Sequence, residues 1–406
     1  MTSRERVQKA LNFEPVDRIP MDLGGMASSG ISGFAYPKLV AKLGLTPRLP
    51  KMYDTHQMLA MPEMDVLDKL GCDVVTVFYG VTNAYPEPDK WHPYDFNGRL
   101  PAMVRNPKQF ANMPDGSVSQ PEYKIIMQPT SHAFNAEHSG MPLTFSDDLP
   151  LQDLKKLKTD LLAAPLTDKD IKDAVEMCKR AFESTDKAVF FNGPFIPAMG
   201  ISAHGGLGVF PVICLMYPDY VAELHDILSD QAARNIAALL PEIKQYIQVA
   251  ITGGDDWGTQ NALIASPDMF RSLFKPYMTK VNTKFHSIAP DVKTFIHSCG
   301  AIYELIDDII ECGFDILNPV QWPAGGKTFK QWKDKARNRI SLWGGGVNAQ
   351  ATLPLGTVAD VEKEVAQIVQ YLKQDGGYVF NCIHNILAEI EPEKIIAMYK
   401  TAKLNG

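Results

Sequence analysis

The chain has 406 residues and a formal net charge of −7, with 45% apolar and 21% charged residues. The acidic balance excludes the basic footprint of a nucleic-acid binder, and no apolar run approaches the length that crosses a bilayer. Six cysteines in so long a chain are too sparse for a disulfide scaffold. The protein is therefore expected to be reduced and cytoplasmic, with cysteine serving as a ligand or as buried apolar filler.

In chain order, MTSRERVQKALNFEP reads as a charged amphipathic helix rather than a signal peptide. RIPMDLGG (18–25) and GCDVVTVFYG (71–80) are the first two candidate strands. The rhythm then breaks. Residues 81–184 are turn-rich and aromatic, with hairpin signals at FNGR and PDGS. This stretch is expected to be a β-rich insertion after the second strand, a cap over one end of a single domain spanning residues 1–406. It closes with the helical segment DKDIKDAVEMCKRAFEST.

Six further strand candidates follow: AVFFNGP (188–194), QVAITGGDDWG (248–258), KTFIHSCG (293–300), FDILNPVQ (314–321), RISLWGGGV (339–347) and GYVFNCIHN (377–385). Each is short and mostly rich in Val, Ile and Phe, with Gly, Asn or Asp at or near its end. Helical periodicity fills the gaps. SPDMFRSLFKPYMTKVNTKFHSI starts with Ser266 as N-cap and Pro267 at the first helical position, and TVADVEKEVAQIVQYLKQDGG carries a capping-box-like start. Eight strands alternating with helices predict an α/β fold, a (β/α)8 TIM barrel. No G-x-G-x-x-G follows the first strand, which argues against a dinucleotide-binding open sheet.

In such a barrel the strand ends meet at the C-terminal mouth, where active sites form. Here they offer Asp22, Asn192, Asp255, Asp256, His297, Cys299, Asn318, Gln321, the 344–346 glycine run, Cys382 and His384. In an extended strand His297 and Cys299 point to one face. With Cys382 at the last strand end they match a Zn²⁺ site of three protein ligands and an open fourth position. Cys299 as a nucleophile with His297 as base is the weaker reading, since no orienting third residue is apparent. Cys382 and His384 share a face in extended geometry, so either reaches the metal. Cys382 is the expected ligand and His384 the expected pocket acid, base or donor. Asp256 is the second catalytic candidate, and Asp22, Asn192, Asn318 and Gln321 are expected to bind substrate. The glycine run reads as a tight turn against close-packed backbone rather than a phosphate cradle.

Several blocks, among them DDWGTQNALIASPDMFRSLFKP, HSCGAIYELIDDIIECGFDILNPVQ and YVFNCIHNILAEIEPEKIIAMY, resemble the uroporphyrinogen decarboxylase superfamily. The resemblance covers most of the chain and implies the same barrel. Its decarboxylase branch carries an arginine-rich N-terminal stretch for porphyrinogen propionates. Here that region reads MDLGGMASSGISG, and no arginine lies between Arg18 and Arg48, although a substrate with eight carboxylates needs cationic partners. The corrinoid-dependent methyltransferase branch resembles this chain in its H-x-C and distant lone Cys, matched by His297, Cys299 and Cys382. That branch implies zinc, a corrinoid (cobalamin) on a partner protein, and a small methyl donor such as a methoxylated aromatic. A methylcorrinoid:thiol direction is the alternative, and a metal-free lyase on a smaller carboxylic acid is the rival. Neither nucleic acid nor membrane is an expected partner, and self-association as a homodimer is allowed.

Overall fold

The computed structural model describes residues 1–134, 149–197 and 199–406. Seven parallel strands follow one another around a curled sheet: Val74–Phe78, Ala188–Asn192, Val249–Gly253, Lys293–His297, Ile316–Asn318, Ser341–Trp343 and Tyr378–Val379. The eighth position is held by a single residue. Met21 bridges in parallel to Phe380, and its carbonyl accepts the Asp73 N–H at 2.7 Å on the other side. The ring is thereby closed into the expected TIM barrel, in the strand order read from the sequence.

The alternation of side chains along each strand decides what fills the barrel. Val74, Ala188, Phe190, Val249, Ile251, Phe295, Ile316, Trp343 and Val379 form one interior cluster, and Val7 and Leu11 of the helix Ser3–Leu11 join it. Burying such side chains stabilises by roughly 1.5–3 kcal/mol each. Two residues further along, the same inward face carries polar groups: Asn192 after Phe190, His297 after Phe295, Asn318 after Ile316 and Asn381 after Val379. The apolar interior thus gives way to a polar layer at the C-terminal mouth.

Under the barrel, Asp73 is wholly buried and accepts from Arg6 Nη1 at 2.6 Å, Arg18 Nη1 at 2.7 Å and the Met21 N–H at 2.9 Å. The ion cluster clamps the one-residue first strand to its neighbour.

Two hairpins form at the expected turns. His92–Asp95 pairs with Pro101–Val104 across Asn97 and Gly98, and Ala111–Asn112 pairs with Val118–Gln120 across Gly116. A third contribution comes from the segment after the first strand, where Ile31–Ser32, Met52–Asp54 and Leu59–Ala60 form a small sheet. Lys51 bridges to Met103 and ties the two pieces together. Strands of two or three residues leave no readable alternation, so this piece was not foreseen. Met52, Phe96, Phe110, Val118, Met127 and Phe134 pack against one another, so much of the aromatic and Met content of this region serves its own core. The part of the expected insertion from 135 to 148 lies outside the described residues. Among the described residues no helix is long and apolar enough to cross a membrane.

Candidate metal centre

His297 ends its strand, and the ladder runs on by one bond, from the Ser298 N–H to the Asn318 carbonyl at 2.9 Å. That extra bond keeps the chain extended, so Cys299 follows His297 onto the inner face. The next residue, Gly300, has φ +85, and a Cβ there would lie 2.2 Å from the Gly258 carbonyl oxygen. A Cβ on Gly258 would in turn meet Ala301 N at 2.4 Å. Only two glycines allow these loops to touch. The contact holds the loop bearing Asp256 against the loop bearing Cys299, and Asp256 Oδ1 accepts the Cys299 N–H at 2.8 Å.

Among the described residues, His297, Cys299 and His384 place their ligand atoms within 4.8 Å of one another. His297 and His384 stand edge to face at 5.4 Å. Asp256 Oδ1 lies 3.4 Å from His297 Nε2. Burial works to raise the Asp256 pKa, but the nearby His297 and the Cys299 N–H outweigh it and leave the group below the usual carboxylate range. Burial, reinforced by the Asp256 charge, pushes the Cys299 thiol up. That works against a free thiolate nucleophile, whereas a bound cation would reverse it.

The third member of this group is His384, and the expected ligand Cys382 is not in it. Cys382 is wholly buried in the main core cluster, and burial, with Glu364 adding to it, pushes its thiol up to about 12. The reason is local. The last strand ends at Val379, its pairing with the neighbouring segment runs on to the Asn381 carbonyl, which accepts the Gly346 N–H at 2.9 Å, and His384 then takes a left-handed φ of 63°. The shared-face rule for residues i and i+2 holds only in extended chain, and here the chain bends.

The family model of uroporphyrinogen decarboxylase (URO-D) matches residues 97–404. The chain belongs to the uroporphyrinogen decarboxylase family. A relative named uroporphyrinogen decarboxylase from Hydrogenovibrio crunogenus is 26% identical over 253 residues, 62% of this chain and 67% of that protein. Another of that name from Chlorobium limicola is 22% identical over 258 residues, 61% and 69% of the two chains. A solved structure, a methyltransferase from Methanosarcina mazei, superposes with a TM-score of 0.55 over 99% of this chain and 98% of its own, at 16% identity. At that identity the likeness speaks for the fold.

In this uroporphyrinogen decarboxylase family member the other expected site residues fall into distinct places. Gln321 lies at the mouth, accepting the Gly300 N–H at 2.9 Å. Asn192 is buried, donating to the Gly25 carbonyl at 2.9 Å and to Thr76 Oγ1 at 3.1 Å, and it lines a cavity of about 330 Å³ between the second and third strand ends. Asp255 lines a different cavity, of about 310 Å³, with Met199, His204 and Leu224. Asn318, expected to touch substrate, is wholly buried beside His297, its Oδ1 at 2.7 Å from Nδ1. Gly344, at φ +122, would place a Cβ 2.4 Å from the Pro319 carbonyl oxygen, in line with the close-packed turn. Ser28 and Trp343 also bond to Asn318, and nothing in the sequence marked either of them as part of the site.

Asp22, expected to bind substrate, is instead fully buried between the Trp343 Nε1–H and the Gly25 N–H, both at 2.9 Å. Burial raises its pKa to about 6 against the bonds it accepts. The unfolded chain gives up this proton near pH 4, so between about pH 4 and 6 the folded state holds more protons than the unfolded one. Stability then falls as pH rises through that window, and the loss persists above it. The stability of the wild type minus that of Asp22→Asn is expected to drop by roughly 2 kcal/mol from pH 4 to pH 7. Urea denaturation at the two pH values measures it, and an unchanged difference would show that Asp22 does not titrate there.

Proposed function

We propose that this chain is a zinc-dependent methyltransferase that moves a methyl group between a small substrate at the barrel mouth and the cobalt of a corrinoid on a separate protein. The observation that carries the reading is the convergence of His297, Cys299 and His384 within 4.8 Å. Two imidazoles and one thiol fit Zn²⁺, and three protein ligands leave the open position that catalytic zinc uses. The Methanosarcina relative in fold is named a methyltransferase, which agrees with this reading. Bound zinc would act as a Lewis acid on the substrate oxygen or sulfur.

The chain's own residues define the rest. His384 moves from the expected acid–base role to that of third ligand. Asp256 is held as a carboxylate, so it accepts a hydrogen bond from a substrate hydroxyl, or a proton from a thiol, rather than donating one. With a methoxylated aromatic as donor, the methyl C–O bond breaks with both electrons on oxygen, and the methyl passes to the acceptor brought by the partner. A porphyrinogen fits less well. Arg18 is bound to Asp73, and Arg48 is bound to Glu63 and to Asp65, so the two arginines flanking the first-strand loop are occupied.

The test combines metal content with transfer. Purified protein is expected to hold about one zinc per chain and to methylate cob(I)alamin from at least one of a panel of methoxylated aromatics, followed by the corrinoid absorbance. Chelation should abolish the transfer. Protein without zinc, or protein that releases CO₂ from uroporphyrinogen, would overturn the reading in favour of a lyase.

A further inference from the structure

The hydrogen on His297 can be assigned from its surroundings. Asn318 Nδ2 donates to the Trp343 carbonyl at 2.9 Å, and that bond sets which way round the amide lies. Its Oδ1 therefore points the opposite way, where it accepts from Ser28 Oγ at 2.6 Å and faces His297 Nδ1 at 2.7 Å. A carbonyl oxygen only accepts, so Nδ1 must carry a hydrogen whether the ring is neutral or charged. In the neutral ring the lone pair then sits on Nε2, the nitrogen 3.4 Å from Asp256. Asn318 and Ser28 are buried, at 0% and 3% exposed, so water does not compete easily for these bonds.

We propose that Asn318, steadied by Ser28 and the Trp343 carbonyl, is a positioning residue that pre-sets His297 as an Nε2 ligand before any metal arrives. Its value for metal binding rests on the proposed function, while the assignment of the ring hydrogen does not. The pieces come from three separate parts of the chain. Ser28 follows the first strand, Asn318 ends the Ile316–Asn318 strand next to His297, and Trp343 ends the following strand. The barrel's closure is what brings them together. A ligand histidine fixed through its other nitrogen loses less freedom on binding, and disturbing such partners typically weakens metal affinity 10–100-fold.

The test uses chelator-treated full-length protein with ¹⁵N-labelled histidine, with the His297 signal assigned by its loss in His297→Gln. Long-range ¹H–¹⁵N correlation should show the neutral ring protonated on Nδ1. In Asn318→Ala the ring should populate both tautomers, and zinc affinity, read by competition with a chromophoric chelator, should fall about 10–100-fold. Asn318→Asp keeps an acceptor opposite Nδ1 and should restore the Nδ1–H signal. A wild-type ring protonated on Nε2, or evenly mixed, would overturn the inference. Zinc affinity unchanged in Asn318→Ala would also overturn it while leaving the proposed function intact. A locked Nδ1–H tautomer in protein that takes up no zinc would sink the zinc reading and the metal role of Asn318 with it, and would support the assignment of the ring hydrogen.

Discussion

Cys299→Ser and His384→Ala are expected to purify without stoichiometric zinc, whereas Cys382→Ser should keep about one zinc per chain. The contrast follows from geometry. Removing a donor from a three-ligand site leaves two protein ligands, too few for the closed side of a tetrahedral centre. Cys382 contributes no atom to the cluster and sits in the apolar core. Exchanging its sulfur for a hydroxyl buries a polar group, so that variant should lose some stability, about 1–3 kcal/mol, and little metal. Elemental mass spectrometry on the three variants beside wild type decides the matter. Zinc lost in Cys382→Ser but kept in His384→Ala would restore the ligand set expected from the sequence. Circular dichroism separates loss of metal from loss of fold.

Asp73→Ala should be among the most damaging single changes in the barrel, destabilising it by about 3–5 kcal/mol in urea denaturation. Asp73 is wholly buried under two guanidinium groups whose side chains are only 8% and 18% exposed. Without the carboxylate, Arg6 keeps Asp17, but both guanidiniums lose a short charged bond, and the Met21 N–H loses its acceptor. Met21 is the first-strand residue that bridges to Phe380 at the end of the last strand, so the damage falls on the seam of the barrel. Replacing the acid together with both arginines by well-packed apolar residues should cost much less, because no buried charge is left unpaired; Asp17, which loses Arg6, is 45% exposed and stays hydrated. A loss below about 1 kcal/mol in Asp73→Ala would show that water reaches the arginines and that the cluster is not what holds the seam.

How much of this was legible in the sequence depends on how local each feature is. The barrel strands were readable because each is a short apolar run ended by turn residues, and the barrel needs nothing more specific than their alternation with helices. The pairing of His297 with Cys299 was readable for the same reason, since strand geometry persists through Ser298. The mouth as the place to look followed from the parallel arrangement alone. The two hairpins were marked by Asn-Gly and Asp-Gly turns. By contrast, the two- and three-residue strands at 31–60 carry no period to detect.

The sequence by itself determined the barrel, the order of its strands, the roster of polar residues at their ends and the absence of arginine from the first-strand loop. Tertiary structure alone decided which of those residues meet. It brought His384 rather than Cys382 into the group, because the chain bends at Ile383 and His384 and the alternation rule stops there. It buried Asp22 and Asn318, whose polar side chains find their partners in Trp343, Gly25, Ser28 and His297. It also set Asp256 against the Cys299 backbone through a contact between two glycines 42 positions apart. Local pattern records which face a side chain takes within its own strand. Which atoms then share a few ångströms of space depends on how the barrel closes, and that is a property of the whole chain.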